Sequence, residues 1–103
     1  MIVFNTTYHA HNDSVEQFLK WIREEYIPVA ITSEALKNPR LTLIMAHEDG
    51  DNGHSYSLQF DVSTVDELEK WYSETGAHLL SDMTSRFANN VVGFTTIMNI
   101  LDL

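Results

Sequence analysis

The chain has 103 residues, 44% of them hydrophobic and 11% aromatic, a size and composition suited to one packed domain over residues 1–103. Fifteen acidic residues against six basic ones leave a formal charge of −9, a field that disfavours nucleic acid and anionic lipid as partners. The absence of cysteine excludes disulfides, thiolate nucleophiles and Cys-based metal centres. The opening MIVFNTTYH has no basic segment ahead of an apolar one, and no apolar run nears the roughly 20 residues of a membrane span, so a cytoplasmic protein is expected.

In chain order, Ile2–His9 is rich in β-branched and aromatic residues and reads as a strand. HND follows as a turn, with Asp13 and Glu16 spaced as a capping box. The first helix carries Val15, Phe18, Leu19, Ile22 and Tyr26 at helical spacing, and Pro28 is expected to kink or end it. After a loop, Arg40–Glu48 forms the second strand, DGDNG a turn, and His54–Val62 the third strand, the two making a hairpin. Thr64 and Glu67 offer a second capping box. The second helix then buries Leu68, Trp71, Tyr72, Leu79, Leu80, Met83 and Phe87, with Gly76 predicting a kink or a break. Asn89 and Asn90 mark a turn before the last strand, Val91–Leu101.

The order β-α-β-β-α-β predicts a ferredoxin-like α+β fold, an antiparallel sheet with both helices on one face and strands one and three at its centre. The third strand alternates strictly, with His54, Tyr56, Leu58 and Phe60 on one side and Ser55, Ser57, Gln59 and Asp61 on the other. In the first strand Ile2, Phe4 and Tyr8 oppose Asn5, Thr7 and His9. Strand two is apolar on both parities and strand four nearly so, which implies cover on both faces. The simplest cover for the helix-free face is a second copy, giving a homodimer through the open sheet face, a dimeric α/β barrel.

These motifs resemble a family of short ferredoxin-like proteins known only as a domain of unknown function. The likeness runs through Asn5-Thr6, Trp21, EEYIP at Glu24–Pro28, Arg40-Leu41, SYSLQF at Ser55–Phe60, Phe87 and GFTT at Gly93–Thr96, nearly the whole chain. Where that family carries a His before Ile-Pro, this chain carries Tyr26. The resemblance implies the ferredoxin-like fold and the dimer, with no established activity. More distantly, the chain is similar to antibiotic-biosynthesis-type monooxygenases and to haem-degrading enzymes of the dimeric α/β-barrel superfamily. Asn5, Trp71 and His78 invite the haem comparison, although the Trp-to-His interval is shorter here.

Candidate chemistry follows from residue type and placement. Trp71 and His78 lie seven positions apart, about two turns, and would share a face of a regular α-helix. His78, beside the expected bend, is the leading catalytic candidate, with Glu25 and Tyr26 as a carboxylate and phenol beside the sheet. Asn5, Thr7, Ser57 and Gln59, polar residues of the central strands, are expected to line a ligand cleft with Trp21 and Trp71, or to bond one another. His9 and His11 read as strand-end residues, and His47 and His54 as flanks of a solvated acidic turn, so no metal centre is expected. No motif names a cofactor. The favoured expectation is a small-molecule-binding homodimer with a cleft between helices and sheet. The alternative is a cofactor-poor monooxygenase, isomerase or haem-degrading type of enzyme in the same cleft.

Overall fold

The computed structural model describes residues 1–45 and 53–103. Residues 49–52 of the acidic DGDNG turn and His47 lie outside them. Strands β1 (Ile2–His11), β2 (Lys37–Ile44), β3 (Gly53–Val62) and β4 (Val91–Asn99) form one antiparallel sheet in the order β2-β3-β1-β4. The expected centre and edges are therefore as read from the sequence. Helix α1 (residues 15–30) follows β1, and helix α2 (residues 65–87) follows β3.

Cross-strand register sets the faces. Phe4 pairs with Phe60 and Ile97, and Tyr8 with Tyr56 and Gly93, on the side that the helices cover. The rings of Phe4 and Trp71 meet edge to face at 5.6 Å, and those of Tyr8 and Phe18 lie tilted at 5.1 Å, so one sheet face receives both helices. Phe18, Ile22, Leu36, Leu58, Phe60 and Val62 are the largest fully buried side chains, which puts the core under α1 and over β1 and β3.

Neither helix breaks where its sequence suggested. Each passes through a π-helical turn, Ile22–Tyr26 in α1 and Tyr72–Gly76 in α2. The closing amides reach back five residues, Ile27 N–H to the Ile22 carbonyl and Ala77 N–H to the Tyr72 carbonyl. In α1 the cause is Pro28, whose ring would crowd the carbonyl four residues back and supplies no amide. The wider turn relieves that crowding and lets the helix run on to Ala30. Gly76 sits at ordinary helical angles, φ −63° and ψ −39°, and α2 continues to Phe87.

Two smaller expectations are corrected. Asp13 caps nothing, because Asn12–Ser14 is a 3-10 turn and Ser14 precedes α1 without a side-chain cap. Strand β2 begins at Lys37, three residues early, through a bulge between Lys37 and Arg40 with Asn38 at φ 54°. Thr64 does cap α2, accepting from the Glu67 amide at 3.2 Å.

Candidate functional site

A pocket of about 190 Å³ opens between the helices and the β1–β4 side of the sheet. Its floor is the helix-facing parity of two paired strands, Phe4, Thr6 and Tyr8 on β1 with Gly93 and Thr95 on β4. That parity would be apolar and filled if it followed β3. Small and hydroxylic residues at 6, 93 and 95 leave room instead. Gly93 lies opposite Tyr8, and a Cβ there would meet the Tyr8 ring at 2.9 Å. Glycine thus lets the ring lie across the neighbouring strand.

The two π turns build the walls. In an α-helix, positions i and i+5 point apart, whereas a π turn brings them to one face. Trp21 and Tyr26 are five apart and meet edge to face at 5.5 Å. Trp71 and Gly76 repeat that spacing, and a Cβ on Gly76 would lie 2.5 Å from the Trp71 ring. Both indoles are almost wholly buried, and both line the pocket together with Tyr26, Tyr72 and Gly76. Each indole N–H crosses to the other helix. Trp71 donates to the Ala30 carbonyl at 2.9 Å, and Trp21 to an Asp82 carboxylate oxygen at 3.0 Å.

Inside the pocket the polar groups are hydroxyls. Burial pushes the Tyr8 pKa up to about 12, against the smaller opposing effects of the Tyr26 and Thr6 hydroxyls. Tyr26 is held well above its ordinary value, first by burial and then by Tyr8. Both phenols therefore stay neutral at physiological pH and can donate or accept hydrogen bonds. Among the described residues, the lining holds no histidine, carboxylate or cation. On the outer side, Asp82 also accepts from Arg86 Nε at 2.9 Å, and Arg86 reaches Glu25 at 2.9 Å. The Arg86 hydrogen bond, followed by that of Trp21, lowers the Asp82 pKa.

The expected site residues divide into three groups. Trp21, Tyr26 and Trp71 come together in the pocket. Asn5, Thr7, Ser57 and Gln59 do not line it. They occupy the open face of the sheet, because their parity opposes that of Phe4 and Phe60. There they bond one another and their neighbours. Ser57 Oγ donates to Asn5 Oδ1, Asn5 Nδ2 donates to Thr7 Oγ1 at 3.2 Å, and Arg40 donates to Gln59 Oε1 at 3.1 Å. No buried side-chain polar atom among the described residues lacks a partner.

His78 and Glu25 form the third group. His78 is exposed on the outer side of α2, in a shallow cleft with Glu74 and Asp82. Counting two α-helical turns from Trp71 misplaces it, because the intervening π turn shifts the phase of everything downstream. Glu25 points away from its neighbour Tyr26 and pairs with Arg86 in solvent. Sequence reasoning passed over Tyr8, Thr6, Gly93 and Thr95. A threonine between Phe4 and Tyr8, and a glycine and threonine on the matching parity of β4, were the available signal.

The model of one protein family, Domain of unknown function (DUF4286), matches residues 1–101. The chain belongs to that family. No curated protein matches it in sequence. Solved structures similar to this DUF4286 chain include an ethyl tert-butyl ether D (EthD) family protein from Bacillus halodurans, with TM-score 0.71 at 12% identity, covering 98% of this chain and 100% of that one. An antibiotic biosynthesis monooxygenase-like protein from Deinococcus radiodurans gives TM-score 0.70 at 9% identity, covering 100% and 95%. A dimeric ferredoxin-like protein from an uncultured marine organism gives 0.69 at 12%, covering 100% and 97%. At such identities these likenesses speak for the fold alone, and the fold is the ferredoxin-like one expected from the sequence. No helix among the described residues is long and apolar enough to cross a membrane.

Proposed function

We propose that this protein is a homodimer that binds a small neutral molecule in the pocket between helices and sheet. The observation that carries this reading is the pocket's lining, aromatic rings around un-ionised hydroxyls. Ligand pockets combine such apolar walls with a few convergent polar groups. Neutral phenols orient a ligand by hydrogen bonding and make poor bases, so binding is favoured over acid–base catalysis. The test uses hexan-1-ol as probe and the emission of the two buried indoles as signal. Saturable binding is expected, weakened about fivefold by Tyr8→Phe, the size of one hydrogen bond. A non-saturating response, or one indifferent to Tyr8→Phe, would count against the reading.

The second copy is supported by charge and by apolar exposure. Asp61 is the only acidic residue on the four described strands, and Asn38 and Arg40 hold it at 2.9 and 3.5 Å. Two copies of a chain carrying −9 therefore repel least when sheet meets sheet. Val92, Phe94 and Met98 on β4 and Ile44 on β2 stand in register with open-face residues of β1 and β3, and all four are exposed, Phe94 to 65%. Uncovered apolar surface of that kind marks an interface. Sedimentation should find a dimer at micromolar concentration and a monomer for Val92→Glu. A wild-type monomer would overturn it.

The fold likeness to a monooxygenase-like protein supports a second reading, oxygenase chemistry on a bound substrate without a resident cofactor. Oxygen uptake on adding a substrate to the protein alone would favour it. Its haem-degrading form loses its proposed iron ligand, since His78 lies outside the pocket.

A further inference from the structure

The pocket does not end at Tyr72. A second groove of about 490 Å³ shares Phe4, Tyr72 and Thr95 with it and continues over Leu68 and Ile97. Its walls are apolar apart from Thr95, the half-exposed Tyr72 and Glu69. Ile97 pairs with Phe4, so it belongs to the helix-facing parity of β4, yet it is 52% exposed. A second copy stacked on the open sheet face would not reach it. The apolar surface left uncovered here therefore calls for a different occupant.

We propose that pocket and groove form one channel for an elongated amphipathic ligand. Its neutral, hydrogen-bonding head group sits among Tyr8, Tyr26 and Thr6, and its apolar chain passes Tyr72 to lie over Leu68 and Ile97. The proposal rests on the reading of the pocket as a ligand site and adds the chemical class. Volume supports the length. The inner pocket alone holds about six water-sized groups at about 30 Å³ each, below the usual range for ligand sites. With the outer groove the space falls within the roughly 300–1,000 Å³ typical of such sites. Charge supports the neutral head. The inner end offers hydroxyls and no cation, and the protein's net charge of −9 repels an anion.

Straight-chain alkan-1-ols from hexan-1-ol to decan-1-ol, titrated against the wild-type protein by calorimetry, test the channel. Each added methylene should tighten binding about fourfold through decan-1-ol. Decanoate at pH 8 should bind at least tenfold more weakly than decan-1-ol, and Ile97→Glu should narrow the decan-1-ol to hexan-1-ol affinity ratio about tenfold or more. If hexan-1-ol binds and longer chains gain nothing, the channel is overturned while the pocket stands. If no alkanol binds, both readings fall together. Equal affinity for decanoate would overturn the neutral head group. Decan-1-ol affinity that declines as protein concentration rises would assign the groove to a second copy instead.

Discussion

Helices α1 and α2 follow one plan with opposite results. Each has a tryptophan, then a π turn, then a residue five positions on that shares the tryptophan's face. In α1 that residue is Tyr26, which fills the space beside Trp21 with a ring and supplies a buried hydroxyl. In α2 it is Gly76, which supplies nothing, and Trp71 lies directly against its backbone. The pocket lies between a helix whose turn presents a phenol and a helix whose turn seats an indole on bare backbone. The contrast teaches that one repeated geometry can build two different walls of a site, with no charged or nucleophilic side chain to mark it.

The comparison breaks most directly at the indoles. Trp71→Ala should cost about 3–5 kcal/mol in urea unfolding, since it removes a buried aromatic and leaves the Ala30 carbonyl without its donor. Next comes Gly76→Ala. In an ordinary helix interior this change stabilises by roughly 0.5–1 kcal/mol. Here the added methyl must displace a buried indole, so a loss of about 1–3 kcal/mol is expected, read from the shift in urea midpoint. A gain would mean that the two helices do not differ in the way described.

Two pH experiments sharpen the contrast further. Tyr8 and Tyr26 have folded pKa values raised above the ordinary 10 by burial. Their contribution is fully present below pH 10 and is lost as pH rises through the folded values, about 12 for Tyr8. Unfolding midpoints should therefore fall above pH 10, and phenolate absorbance should show three late-titrating tyrosines, since burial raises Tyr56 as well. Tyr8→Phe should remove one. The smallest effect belongs to Asp82, whose pKa is depressed by Arg86 and then by Trp21. Its contribution is present above the ordinary 3.8 and is lost as pH falls through the lower folded value. Because the carboxylate is partly exposed and screened, Asp82→Asn should cost only about 0.2–1 kcal/mol at neutral pH and flatten the acid limb.

Much of the fold was legible because it rests on local chemistry. The alternation in Tyr56, Leu58 and Phe60 fixed a strand and its buried face, and Thr64 with Glu67 marked a helix start. The site was less legible. Trp21, Tyr26 and Trp71 were singled out and do meet, but Asn5, Thr7, Ser57 and Gln59 were assigned to the same cleft and lie behind the sheet. Parity shows that two residues share a side without saying which side the helices take when both carry some apolar surface. His78 failed for a different reason. Face arithmetic assumes 3.6 residues per turn, and one π turn invalidates it for every residue that follows.

The sequence by itself determined the element order, the antiparallel ferredoxin-like sheet, the acidic exterior and the polar row of the central strands. Those features depend on periodicity, turn chemistry and charge, which act over a few residues. Only the tertiary structure decided which sheet face the helices cover, that one π turn precedes Pro28 and another ends at Gly76, and that Thr6, Gly93 and Thr95 meet to leave a hollow under Trp71. A pocket is an unfilled volume shared by four elements, and no single stretch of chain contains the information that its neighbours will leave it empty.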